Sequence, residues 1–152
     1  MRLSPELPAG SRLQSASLDG KTVACDREEQ PAATRLRLDL KGFSGRHTLR
    51  LHHRGGVDWL PVDEPLTPGA TSRNLRVVRA RWEDPSWRLR LEGLPGRNYP
   101  VDFFTDRSVV SATADGRVEK RKTAWRVVFS APPNATTNAA GFARWDAEVR
   151  FR

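Results

Sequence analysis

The stretch "LDLKGFSGRHTLRLH", from Leu38 to His52, and the stretch "LRLEGLPGRNYPVDF", from Leu89 to Phe103, follow the same plan. Each begins with alternating apolar and charged residues, continues into a segment with two glycines followed by Arg, and returns to a second alternating run. Alternation with a period of two is typical of strands that bury one face. We interpret each stretch as a hairpin closed by a glycine-bracketed loop, in which Phe43 or Leu94 folds back onto a core. Duplication and a convergent β-arc explain the similarity equally well, because the second runs are one residue out of register.

The period-two pattern recurs along the chain, and no window has the apolar stripe of a long helix. Asp19-Gly20 and Asp115-Gly116 are typical of two-residue hairpin turns. We therefore predict an all-β fold, either one antiparallel β-sandwich or two small β-sandwich halves in tandem. The predicted strands span residues 12–18, 21–25, 34–41, 46–53, 74–83, 86–92, 97–105, 108–114, 117–121, 124–130 and 144–151.

The length of 152 residues fits one domain with its own core. We predict a single domain over residues 1–152, with an internal seam between two β halves at "PVDEPLTPGATS", Pro61 to Ser72, where three prolines and a glycine interrupt the pattern. Cys25 is the single cysteine, so a disulfide framework and a thiolate zinc site are both excluded.

Two kinds of targeting segment, a membrane span and a signal peptide, have recognisable apolar patterns. No apolar run approaches the roughly 18 residues needed to cross a bilayer, so no membrane partner is expected. The segment "MRLSPELPAG" at the start lacks the apolar centre of a signal peptide. We expect either an intracellular protein or a domain of a longer, extracytoplasmic chain whose targeting signal lies upstream.

The sequence contains no pattern that favours catalysis. His52 and His53 are adjacent in a predicted strand and so point to opposite faces, which argues against a shared metal ion. No nucleophile motif of the GxSxG kind is present. We expect no enzymatic activity, no cofactor and no metal, against the rival of an enzyme that acts through carboxylates such as Asp63 or Asp102.

Five tryptophans are many for this length and form the strongest candidate binding signal. An exposed indole can stack on a sugar ring, whereas an indole turned inward only fills the core. Alternation assigns Trp82 and Trp125 inward. Trp59, in a loop near Gly and Pro, and Trp87, after the "EDPS" turn, are the residues that we expect to be exposed and to bind carbohydrate.

The chain carries a formal net charge of +8, which permits an anionic partner. Its arginines are dispersed from Arg2 to Arg152, so we favour a proteome bias toward Arg over an anionic partner as the origin of the charge. The one dense cluster, "RVEKRKTAWR" at 117–126, is the alternative site for nucleic acid or another anionic polymer. Its members are Arg117, Lys120, Arg121, Lys122 and Arg126.

The segments "LPAGSRLQSASLDGKTV", Leu7 to Val23, and "TRLRLDLKGFSGRHTLRLHHRGG", Thr34 to Gly56, resemble the β-sandwich accessory domain near the carboxyl end of bacterial glycoside hydrolases. The resemblance does not extend to the residues from Arg73 onward. It implies a non-catalytic module that packs against a catalytic domain or helps to hold polysaccharide. No catalytic residue carries over, because the acids of those enzymes lie in the catalytic domain.

Overall fold

The computed structural model describes residues 1–42, 44–65, 68, 72–113 and 116–152, and none of these residues is helical. The strands pair antiparallel, so the predicted all-β antiparallel fold is confirmed. Contacts within the chain divide it into unit 1, Met1–Val57, and unit 2, Asp58–Arg152. The single domain with a seam at 61–72 stays a prediction.

Each unit holds two sheets built from short strands. The strands of unit 1 are β1 Arg2–Leu3, β2 Glu6–Pro8, β3 Arg12–Leu18, β4 Lys21–Thr22, β5 Asp26–Glu29, β6 Ala33–Asp39 and β7 Leu49–Arg54. The strands of unit 2 are β8 Asp58–Pro61, β9 Arg76–Glu83, β10 Ser86–Gly93, β11 Asn98–Phe104, β12 Val109–Ala112, β13 Arg117–Lys120, β14 Trp125–Ser130 and β15 Ala143–Phe151.

Unit 1 is organised around leucines that alternate with polar residues. In one sheet β6 pairs with β1, β2 and β5, and in the other β3 lies between β4 and β7. The core cluster takes Leu36 and Leu38 from β6 and Leu18 from β3, and Leu49 and Leu51 of β7 pack against it. Both sheets therefore turn their apolar faces to one core, as in a sandwich.

Unit 2 has the strand order β12-β15-β10-β9 in one sheet and β13-β14-β11-β8 in the other. Phe103 of β11 and Phe151 of β15 are almost fully buried, and their ring centroids lie 5.7 Å apart. Tyr99 of β11 and Trp145 of β15 make a second contact, at 6.3 Å. These pairs join the inner faces of the two sheets.

The hairpin interpretation of the two opening stretches is wrong. β6 and β7 belong to different sheets of unit 1, and β10 and β11 belong to different sheets of unit 2. Both stretches are therefore arches that carry the chain from one sheet to the other. Gly45 and Gly96 occupy matching places in the arches with φ of +95° and +72°, a region that favours glycine. Leu94 is half-buried, and Phe43 lies outside the described residues.

Local turn chemistry predicts one hairpin correctly. Asp19 and Gly20 both have positive φ, and β3 pairs with β4 across them, as an Asp-Gly turn requires. In the second Asp-Gly turn Asp115 lies outside the described residues, and the flanking strands β12 and β13 pair with β15 and β14. They therefore do not form the predicted hairpin with each other.

Four observed strands are missing from the prediction, and they are β1, β2, β5 and β8. β5 reads Asp-Arg-Glu-Glu and has no apolar residue to alternate, while β1, β2 and β8 have only two to four residues each. β5 forms because β6 offers its backbone groups along residues 34–37. Pairing with a distant neighbour, rather than local pattern, decides such strands.

Candidate functional site

The expectation that Trp87 is exposed is wrong. Trp87 is 1% exposed in the centre of unit 2. Its ring lies 6.1 Å from that of Trp59 and 5.7 Å from that of Trp82, in edge-to-face arrangements. β10 is an inner strand of its sheet, and the face that carries Trp87 also carries Leu89 and Leu91, so the indole is a core residue.

Trp59 is half-buried, and its ring packs against the ring of Trp87. Trp82 packs on Trp87 and Phe151, which agrees with its inward assignment. Trp125 is half-buried, and its Nε1 donates to the carbonyl of Arg107 at 3.0 Å. All five tryptophans are thus buried or half-buried, and none is an exposed residue of the kind that stacks on a sugar ring.

The basic segment 117–126 is largely occupied by internal contacts. Arg117 and Arg121 both pair with Glu119, at 2.9 and 2.7 Å. Lys120 lies 5.5 Å from the centroid of the Trp125 ring, in a cation–π contact. Lys122 is exposed. Glu119 therefore balances part of the positive charge of this segment within the fold.

The fifth member of the segment, Arg126, holds Asp102 in a two-point ion pair across β11 and β14. Its Nε and Nη2 donate to the two carboxylate oxygens at 2.7 and 2.8 Å. The hydrogen bonds from Arg126 hold the pKa of Asp102 below its usual range. Asp102 is thus an ionised and occupied carboxylate, unsuited to donating a proton, and Asp63 is exposed.

The histidines lie apart. His52 and His53 are exposed on β7, and the Nδ1 of His47 lies 2.6 Å from Asp19 in the turn after β3. Within the described ranges, no group of three or more His, Cys, Asp or Glu side chains is placed to hold a metal ion. The same residues contain no helix with the length and apolar character to cross a membrane.

Four arginines, which we call the arginine cluster, lie side by side on the outer face of the β9–β10–β15 sheet. Arg81 lies opposite Arg88, and Arg79 lies opposite Arg90. All four are exposed, whereas the intervening Leu89 is 2% exposed on the inner face. Like charges opposite one another destabilise a sheet. The arginine cluster therefore carries a cost that acidic neighbours or an anionic ligand offset.

Acidic side chains border the arginine cluster and form ion pairs with three of its four arginines. Arg90 donates to both carboxylate oxygens of Asp146, at 2.8 and 3.2 Å. Glu83 is shared, because one oxygen lies 3.2 Å from Arg81 and the other lies 3.1 Å from Arg88. The hydrogen bond from Arg90 holds the pKa of Asp146 below its usual range, so this carboxylate stays ionised.

Arg79 and Glu148 are the two members of this surface that make no ion pair with any described residue. The guanidinium of Arg79, on the edge strand β9, keeps five N–H donors for a ligand. The carboxylate of Glu148 keeps its acceptor oxygens. Among the described residues, the surface thus offers one unpaired cation and one unpaired acceptor beside one compensated pair and one carboxylate that two arginines share.

The arginine cluster lines an open concavity of about 510 Å³, a volume in the range of small-ligand sites. The concavity is therefore lined both by positively charged hydrogen-bond donors and by negatively charged acceptors. The residues that line the concavity are Arg79, Arg81, Glu83, Arg88, Leu89, Arg90, Thr113, Asp146, Ala147 and Glu148.

Sequence reasoning missed this site because it treated the arginines as dispersed. A signal was present in "RARWEDPSWRLR", residues 79–90, where Arg recurs at alternate positions on both sides of the Asp84-Pro85 turn. Folding the segment at that turn pairs the arginines. The acidic partners on β15 lie more than fifty positions along the chain from Arg90, and no local pattern indicates them.

Comparison with protein-family models, with curated proteins and with solved structures finds no match to this chain.

Proposed function

We propose that this protein is a non-catalytic β-sandwich accessory module that binds an acidic polysaccharide through the concavity on unit 2. The observation that carries the proposal is the mixed lining of that concavity, in which the arginine cluster stands beside Asp146 and Glu148. An acidic sugar combines a carboxylate, which needs cationic donors, with hydroxyls, which need both donors and acceptors.

Arg79 supplies the contact that selects for acidity. Its planar guanidinium matches a carboxylate in a two-point geometry, and no internal carboxylate occupies it in the described structure. Glu148 and Thr113 supply acceptors for sugar hydroxyls on the opposite side of the concavity. A purely phosphate-based ligand is disfavoured here, because three carboxylates line the same space.

The accessory role rests on the resemblance of residues 7–23 and 34–56 to modules that accompany bacterial glycoside hydrolases. Two ion pairs of unit 2 also support a non-catalytic role. Asp102 and Asp146 are each held by an arginine at both carboxylate oxygens, which suits binding and positioning rather than proton transfer. Carbohydrate recognition then depends on polar contacts instead of the tryptophan stacking that the sequence suggested.

The test is affinity electrophoresis of the whole chain in gels that contain polygalacturonate, a neutral glucan, a neutral xylan or an oligonucleotide. We expect retardation by polygalacturonate above all, and Arg79→Gln should weaken it by roughly tenfold, the loss of one hydrogen bond to a charged group. Arg117→Gln is the matched control, since it removes the same charge from the other sheet of unit 2.

The control should bind polygalacturonate within about twofold of the parent chain, as an exposed residue away from the site. An equal loss in both variants would show that net charge alone drives retardation and would overturn the proposed site. If only the oligonucleotide retards the chain and Arg117→Gln abolishes that retardation, the function is nucleic-acid binding at the 117–126 segment instead.

A further inference from the structure

The outer face of the β4-β3-β7 sheet in unit 1 differs in composition from every other charged surface described above. Leu18, Leu49 and Leu51 point into the core, so alternation turns Ser17 and Arg50 outward. The outward residues that strand register places, which we call the donor face, are Arg12, Ser15, Ser17, Thr22, Arg50, His52 and Arg54.

Strand register arranges the donor face in three rows. Ser17 lies between Thr22 and Arg50 in the first row. Ser15 lies opposite His52 in the second row, and Arg12 lies opposite Arg54 in the third. Arg50, His52 and Arg54 follow one another at alternate positions of β7, which spaces them by about 6–7 Å. The face is therefore a line of two arginines and a histidine flanked by hydroxyls.

No acidic side chain belongs to the donor face. The carboxylates of Glu6, Glu28, Glu29 and Asp39 are paired with arginines of the other sheet or its edge, and Asp19 is paired with His47. In the described part of the chain, Arg12, Arg50 and Arg54 form no ion pair.

The placement of Arg12 opposite Arg54 is unfavourable in the free protein. Two like charges that face each other across a strand pair repel, and no acidic neighbour offsets the repulsion as Glu83 does in unit 2. A bound anion would remove this cost. Features that break a local rule without internal compensation are expected where a protein functions.

The chemistry of the donor face matches phosphate better than an acidic sugar. Guanidinium and hydroxyl groups donate to a phosphate diester, which carries only acceptor oxygens and so needs no carboxylate opposite it. The described residues of unit 1 include no Trp, Tyr or Phe, so this face has no platform on which nucleic-acid bases could stack. Recognition would rest on the phosphates themselves.

We propose that the donor face binds the phosphate groups of a linear phosphate polymer, with Arg50, His52 and Arg54 of β7 following successive groups. This site is separate from the acidic-sugar site of unit 2 and does not depend on it.

The experiment measures binding of the whole chain to inorganic polyphosphate by fluorescence anisotropy at several salt concentrations. The double variant Arg50→Gln with Arg54→Gln should reduce the slope of log affinity against log salt by roughly 1.4–1.8, since each lost phosphate contact contributes about 0.7–0.9. The matched control is Arg35→Gln with Arg37→Gln, which removes two arginines from the other sheet of unit 1.

The control variant should keep the parent slope, and Arg79→Gln should leave polyphosphate binding unchanged. Circular dichroism and thermal unfolding establish that each variant is folded before binding is measured. Equal slopes in the two double variants, or an absence of polyphosphate binding in the parent chain, would overturn the proposal. Tighter binding to a single-stranded oligonucleotide would also overturn it, and so would a polygalacturonate affinity that the double variant Arg50→Gln with Arg54→Gln lowers as much as the polyphosphate affinity.

Discussion

Trp87→Ala separates a core role for this tryptophan from the carbohydrate-binding role that the sequence suggested. The indole is 1% exposed and contacts the rings of Trp59 and Trp82 edge to face. Truncating a buried Trp to Ala costs about 3–5 kcal/mol, because the protein loses apolar burial and keeps a cavity. An exposed sugar-binding Trp would change stability by only about 0.5 kcal/mol.

Trp87→Phe separates the contribution of the aromatic ring from the cost of the buried indole nitrogen. The indole Nε1 of Trp87 is buried and has no hydrogen-bond partner among the described residues, and a buried unpaired donor costs about 1–3 kcal/mol. Phenylalanine keeps an aromatic ring for the two edge-to-face contacts and removes that donor. We therefore expect Trp87→Phe to cost less than half of the loss caused by Trp87→Ala.

Urea denaturation followed by circular dichroism measures both variants. The loss should appear as a lower midpoint with an unchanged denaturant slope, since the surface exposed on unfolding is nearly the same. Val110→Ala is the control, because Val110 is 57% exposed on β12 and should change stability by less than about 0.5 kcal/mol. A loss below about 1 kcal/mol for Trp87→Ala would refute the core assignment.

Three further predictions follow from single contacts. Gly93→Ala would place a Cβ 2.4 Å from the Tyr99 ring, so unit 2 should lose about 1–3 kcal/mol in urea denaturation, and a neutral result would contradict this packing. Asp19 raises the pKa of His47, so the stability gained from this pair is complete below about pH 6.5 and is lost as pH rises through the folded-state pKa. His47→Gln should remove that pH dependence, as measured by thermal unfolding across pH 5–9, and persistence of the dependence would contradict it. Asp102→Asn should cost about 1–3 kcal/mol because its arginine partner loses a two-point ion pair, whereas an increase in midpoint would argue against a stabilising pair.

The sequence by itself determined the fold class and the identity of most strands. Alternation at Leu36, Leu38 and Leu40 and the turn at Asp19-Gly20 are local features, and the backbone at these places follows local rules. The inward assignment of Trp82 also follows from alternation, since a period of two groups residues by face.

Tertiary structure alone decided which strands are neighbours and which faces are buried. The local pattern around Gly45 and Gly96 predicts hairpins, but each segment connects two sheets. The prediction fails because alternation does not specify the partner of a strand. Trp87 is buried because unit 2 covers that face of β10. The arginine cluster and the donor face exist only through cross-strand register, which joins residues far apart in the chain. The local pattern determines which side chains of a strand lie on the same face. Long-range strand pairing determines which residues that face packs against.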